Sequence, residues 1–214
     1  MDRNWIKIDK FISRDTASLL YAHVKLAAKR FQDLHDSGVT VSDYVYGGYP
    51  TPHELSEVNI PECFYMYGDL IMDTLLIDSK EKIENIIGKK LIPQTTYYRL
   101  YLYGNELKRH QDREQCELSS TLCLGYDADY SWPIWMKDEN GDEIPIETEP
   151  GDMVIYKGYD VEHWREKFKG IDHAQVFLHY NLKDGPFSHN HLDGRVSVGI
   201  PHPSNTKHWF RGNR

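Results

Sequence analysis

The feature that most constrains this chain is a change of hydrophobic period at Leu91. Before it, apolar residues recur at helical spacing; after it, they alternate in short runs broken by turn formers. Upstream, Leu20, Val24, Ala27, Ala28, Phe31 and Leu34 predict an amphipathic helix over 14–35, with Ser13 as its N-cap. Residues 36–61 carry Ser37-Gly38, Gly47-Gly48, Pro50 and Pro52 and no period. They read as an irregular excursion able to lie over a site. A second helix is predicted near 62–77, from Phe64, Leu70, Ile71, Leu75 and Leu76. Asp78-Ser79-Lys80-Glu81 has the form of a capping box, opening a short third helix that ends near Gly88.

Downstream, strands are predicted over 95–103, 117–125, 132–136, 143–148, 152–157, 160–165 and 173–181. Leu118, Leu122 and Leu124 share one parity in the second of these. Turn signals such as Glu139-Asn140-Gly141-Asp142 and Pro150-Gly151-Asp152 separate them. Short strands at this spacing behind a helical lead predict an α+β fold: a double-stranded β-helix, or jelly roll of cupin type, with supporting N-terminal helices. The expected organisation is one domain over 1–183, with its helical lead at 1–90 and its jelly-roll core at 91–183. Residues 184–214 read as a loop-like extension. Its His189, His191, His202 and His208 are taken as a solvated tail.

Composition narrows the function. A net charge of −8, spread without long runs, lacks the basic footprint of a non-specific nucleic-acid binder, so no nucleic-acid partner is expected. Cys63, Cys116 and Cys123 form no CxxC pair and read as reduced thiols. The start Met1-Asp2-Arg3-Asn4-Trp5 lacks a signal-like apolar run, and no long apolar stretch follows. A soluble, cytoplasmic protein is the expectation; the oligomeric state is not legible.

The chemistry concentrates at His110-Gln111-Asp112. On a strand, residues i and i+2 point to one side, so an imidazole and a carboxylate reach a common point. A third ligand from a distant strand would complete a 2-His-1-carboxylate iron site with open positions for a co-substrate and oxygen. His163 is the leading candidate, and His173 and His179 are its rivals.

The flanking residues extend this pattern. Tyr101-Leu102-Tyr103-Gly104 precedes the pair, giving Tyr-x-x-Gly-x5-His-x-Asp, and Pro150-Gly151-Asp152 feeds an apolar strand ahead of His163. Over about 95–182 this order resembles the iron(II)/2-oxoglutarate-dependent dioxygenases, in the branch similar to prolyl 4-hydroxylases. The resemblance implies His110, Asp112 and His163 as iron ligands, with Tyr101 beside 2-oxoglutarate. It also implies a hydroxylase that releases succinate and carbon dioxide. A peptide or a small amino-acid-like molecule is the implied substrate. Asp112 stands where halogenases of this superfamily carry a small residue, so hydroxylation or desaturation is the implied outcome.

One position departs from the family. The basic residue that meets the keto acid's distal carboxylate, about ten residues after the last histidine, is here His173, with Gln175 two further on. A buried carboxylate needs a charged partner. Arg165, two residues after His163, and Arg99, which shares parity with Tyr101, are the candidates to supply it. Trp132, Trp135, Trp164, Tyr97, Tyr103 and Tyr130 are candidate cleft or core aromatics. The competing readings are a cupin-like binding module without catalysis and a metal-dependent enzyme that does not use 2-oxoglutarate.

Overall fold

The structure, a computed structural model, describes residues 4–38, 47–48 and 63–200. The chain runs β1 (Trp5–Ile8), α1 (Arg14–Asp36), β2 (Gly47–Gly48), β3 (Phe64–Tyr67), α2 (Leu70–Ile87), β4 (Leu91–Leu102), β5 (Leu107–His110) and β6 (Leu118–Asp127). There follow β7 (Ile134–Lys137), β8 (Glu143–Ile146), β9 (Met153–Tyr156), β10 (His163–Arg165), β11 (Asp172–Leu182) and a 3-10 turn at His191–Gly194. A seven-stranded sheet has the order β1-β9-β6-β11-β4-β3-β2, and a four-stranded sheet has the order β5-β10-β7-β8. Every strand pair is antiparallel. The class is α+β, as expected.

The two long central strands of the large sheet show why the layers form. On β4 and β11, Tyr98, Leu100, Ala174, Val176, Leu178 and Tyr180 face outward into one apolar core with Val24, Met72, Leu76 and Ile83 from the helices. Leu118, Leu122 and Leu124 join the same core, so their shared parity in the sequence marks the helix-facing side. The opposite parity, Tyr97, Arg99, Tyr101, His173, Gln175, Phe177 and His179, therefore faces inward. Two further apolar clusters join the sheets there. One holds Tyr101, Leu107, Trp132, Phe168 and Phe177; the other holds Ile134, Met136, Ile146, Val154 and Tyr156.

Helix α1 starts where predicted, because the Ser13 hydroxyl accepts from the Thr16 amide. The predicted pair of helices at 62–77 and 78–88 is corrected to one. Phe64–Tyr67 is a strand paired to β4, and a single helix then runs from an Asp69 cap to Gly88. The 78–81 segment lies inside that helix. Lys80 bridges forward to Glu84 at 2.6 Å, and Glu84 also accepts from the Leu91 amide at 2.9 Å, so the sequence that resembled a cap instead ties the helix end to β4. Gly88 closes the helix with φ 68°, as its position past the last periodic residue predicts.

The expected solvated tail is also corrected as far as it is described. His189 and His191 are exposed, but Leu192, Asp193 and Arg195 are buried. Asp193 accepts from Tyr67 at 2.7 Å, Gln94 at 3.0 Å and Arg113 at 2.7 Å. Arg195 meets Asp73 at 2.6 Å, and both side chains are fully buried. His202, His208 and most of the expected excursion at 36–61 lie outside the described residues.

Candidate active site

His110 ends β5 and His163 opens β10, and the two are direct partners across the antiparallel pair. Their rings lie 4.3 Å apart, centroid to centroid. Asp112 falls just beyond β5, so the expected shared strand face is not what aims it. Its backbone amide instead donates to the Gly158 carbonyl at 2.9 Å, which turns the carboxylate toward the histidines. Asp112 Oδ1 lies 3.9 Å from His110 Nε2 and 3.8 Å from His163 Nε2. One ligand atom from each residue lies within 4.8 Å of the others, a group placed to hold a metal ion.

The surrounding groups fix the right lone pairs. His110 Nδ1 donates to the Lys108 carbonyl at 2.7 Å, and His163 Nδ1 donates to the Val161 carbonyl at 2.9 Å. Each ring is thereby left with Nε2 as its acceptor, facing the common point. Burial pushes the pKa of His163 down to about 4, so its ring is neutral and able to ligate at neutral pH. Tyr156, kept protonated by its own burial, places its hydroxyl 3.4 Å from the same Nε2. Ser119 donates to Asp112 Oδ2 at 2.5 Å and lies 3.0 Å from His179 Nδ1, leaving Oδ1 as the free carboxylate oxygen. Gly158 makes this packing possible, since a Cβ there would approach Asp112 Oδ2 to 2.7 Å and press on Ser119. His179, a rival ligand in the sequence, thus stands behind the carboxylate; His173 lies elsewhere.

Deeper between the sheets, Trp132 organises a second group. Tyr101 lies 5.0 Å and His173 5.4 Å from its ring, each at a steep angle. The Arg165 guanidinium sits 4.9 Å over the same ring and donates to the Trp132 carbonyl at 2.6 Å. Arg165 is 1% exposed, and its Nε and Nη2 have no hydrogen-bond partner. The Tyr101 hydroxyl and His173 Nδ1 are likewise buried and unpartnered. Gln175 is already engaged: it accepts from Thr121 at 2.8 Å and points its amide nitrogen at His173 Nε2, 2.5 Å away. That contact makes His173 Nδ1 the protonated nitrogen. Burial, with Arg165 adding to it, holds His173 well below its ordinary pKa, so the ring is neutral and Arg165 carries the charge. The region thus presents unpaired donors and one cation, an arrangement complementary to a carboxylate.

A cleft of about 340 Å3 opens beside Asp112, lined also by Tyr65, Tyr67, Tyr97, Arg113, His179 and Asp193 among others. Of the candidate cleft aromatics, Tyr97 lines it, Trp132 forms the deep group, and Tyr130 packs against Phe168. Trp135 and Trp164 stack on each other with Arg109 over Trp164, and Tyr103 is exposed. Sequence reasoning missed Ser119, Tyr156 and Gly158. Only the alternation of β6 and β9 gave any sign that the first two face inward.

No family profile and no curated relative matches the chain at the level of sequence. Solved structures do. A Pseudomonas putida prolyl-4-hydroxylase is similar with a TM-score of 0.57 at 16% identity, covering 84% of this chain and 92% of that one. The non-heme alpha-ketoglutarate-dependent epimerase SnoN from nogalamycin biosynthesis is similar with a TM-score of 0.61 at 10% identity, covering 92% and 90%. HygX from Streptomyces hygroscopicus, solved with nickel and 2-oxoglutarate bound, gives 0.57 at 8% identity, covering 83% and 82%. The chain therefore shares its fold with the iron(II)/2-oxoglutarate oxygenases, prolyl 4-hydroxylases among them.

Proposed function

We propose that the protein is an iron(II)- and 2-oxoglutarate-dependent oxygenase built on a jelly-roll domain, the expected range 1–183 being extended by the segment through Arg195 that packs against it. In this reading it hydroxylates an unactivated C–H bond of a peptidyl residue or an amino-acid-like substrate. The observation that carries the reading is the pairing of two groups: three metal-ligand atoms at one point, and behind them a buried guanidinium with two unpaired nitrogens. An unpaired buried charge costs several kcal/mol, roughly, unless something of opposite charge joins it. A dicarboxylic keto acid supplies that charge.

His110, Asp112 and His163 would hold the metal, and Ser119 engages Asp112 Oδ2 so that Oδ1 is the carboxylate oxygen left to ligate. Arg165 takes the distal carboxylate of the keto acid, and the Tyr101 hydroxyl and the His173 Nδ1 proton complete its donor set. When bound, iron(II) and 2-oxoglutarate with oxygen supply oxidative decarboxylation to succinate and carbon dioxide, coupled to oxidation of a substrate C–H bond. The protein's own contribution is orientation and the exclusion of water. Trp132, Phe168 and Phe177 close the deep end with apolar surface, and the tyrosine-lined cleft admits the substrate beside Asp112. The structural neighbours include a hydroxylase and an epimerase, so the fold leaves the reaction open and the site must be tested directly.

The test is succinate production from 2-oxoglutarate with iron(II) and oxygen, in wild type and Asp112→Ala. Succinate that depends on Asp112 supports the reading. No succinate from wild type, together with no 2-oxoglutarate binding to the iron(II)-loaded protein, sinks it in favour of a binding module.

A further inference from the structure

Two guanidinium groups are buried between the two sheets, and the proposed function uses one of them. Arg99 is the other. It stands on β4 between Tyr97 and Tyr101, is buried, and keeps Nη1 without a partner. Its neighbours are neutral: Nε donates to the Tyr97 hydroxyl at 3.1 Å, and the guanidinium lies 5.1 Å over the Tyr97 ring. Across the sheet it is in register with Tyr65 on β3 and Gln175 on β11. Tyr65 and Tyr97 both line the cleft beside Asp112. No aspartate or glutamate among the described residues pairs with Arg99. The two carboxylates that line the cleft are committed, Asp112 to the metal and Asp193 to Arg113 at 2.7 Å.

A keto acid held by Arg165 leaves this second cation uncompensated. We propose that Arg99 anchors a carboxylate of the substrate. This inference rests on the proposed oxygenase reading and sharpens it. The substrate class becomes a small molecule with a free α-carboxylate, of amino-acid type, since an internal peptide residue has no α-carboxylate to offer. A cleft of about 340 Å3 fits a molecule of that size. Tyr97 acts with Arg99 as a positioning residue, because its ring and hydroxyl fix the direction in which the remaining guanidinium nitrogens point.

The experiment is calorimetric titration of the anaerobic protein, loaded with iron(II) and 2-oxoglutarate. The probes are a panel of free L-amino acids and N-acetyl amino acids, each set against its carboxamide. At least one carboxylate should bind at least about tenfold more tightly than its amide, the scale of a charge-assisted hydrogen bond. Arg99→Gln should bring that carboxylate down to the level of its amide while 2-oxoglutarate affinity stays within about twofold. The comparison of acid with amide in wild type needs no variant, so it stands even if Arg99→Gln folds poorly. Absence of any carboxylate that outbinds its amide, or a preference that survives in Arg99→Gln, overturns the proposal. Loss of 2-oxoglutarate binding in Arg99→Gln also overturns it and makes Arg99 the keto-acid anchor. Failure of wild type to bind 2-oxoglutarate at all is a different result, and it removes the oxygenase reading itself.

Discussion

The two faces of the large sheet obey opposite rules. Toward the helices, β4 and β11 present Tyr98, Leu100, Val176, Leu178 and Tyr180, apolar surface packed into the main core. The buried carboxylate on that side is satisfied: Asp73 takes Arg195, Thr96 at 2.7 Å and the Gly199 amide at 2.8 Å. Toward the smaller sheet, the same strands present Arg99, Tyr101 and His173, each buried with a polar atom left unpartnered. Folding alone does not favour such atoms, because each loses its water and gains no hydrogen bond in exchange. The helix side carries the main apolar core; the inward side, in the proposed reading, trades stability for ligand binding.

If the faces divide in this way, damage to each should show in a different measurement. The largest stability effect is expected on the helix side. Arg195→Met leaves Asp73 buried without its cation and should cost about 3–5 kcal/mol in denaturant unfolding. Leu178→Ala, in the same core, should cost about 2–5 kcal/mol and leave 2-oxoglutarate affinity nearly unchanged. A large drop in affinity in Leu178→Ala would blur the division.

Ser119→Ala acts on the other side. It frees Asp112 Oδ2 and should weaken iron(II) binding about 10–100-fold in a competitive chelator titration, with little loss of stability. Unchanged affinity would show that the hydroxyl does not position the carboxylate. A pH-dependent effect is expected on the acid stability of the metal-free protein. The folded pKa of His163, about 4, lies below its ordinary 6.5, so between these values the unfolded chain binds the proton and the folded one does not. The contribution of His163 is therefore present above about pH 6.5 and is lost as pH falls toward about 4. In His163→Gln the unfolding free energy should fall less steeply across that window.

Much of the candidate metal site was legible. His110, Asp112 and His163 stood out because a recurrent order of tyrosine, glycine, ligand pair and Pro-Gly-Asp turn frames them. Arg165 was legible for a simpler reason: period-two alternation puts it on the side of His163, and both are buried on β10. What was not legible depends on contacts between distant segments. The histidine tautomers are set by backbone carbonyls of Lys108 and Val161, which no side-chain pattern reports. Ser119 is one serine among several until the fold brings it to Asp112. The helix boundaries failed where local and tertiary signals conflict. Phe64–Tyr67 is too short an apolar run to distinguish strand from helix, and Asp78-Ser79-Lys80-Glu81 mimics a cap while Glu84 pins the helix end to β4.

In the proposed function, the buried Arg165 guanidinium, which has no ion-pair partner, takes the distal carboxylate of a keto acid. Anaerobic calorimetry of 2-oxoglutarate binding to iron(II)-loaded Arg165→Met, with thermal unfolding of the same variant in the absence of keto acid, tests it most directly. The account predicts a loss of affinity of at least about 30-fold, as when one partner of a buried charge pair is removed. Stability without keto acid is expected to fall by no more than about 1 kcal/mol, because losing the bond to the Trp132 carbonyl is offset by removing a buried charge that has no ion-pair partner. Binding of 2-oxoglutarate at wild-type strength, with a clear fall in stability, would contradict it: Arg165 would then be part of the scaffold and the keto acid would lie elsewhere.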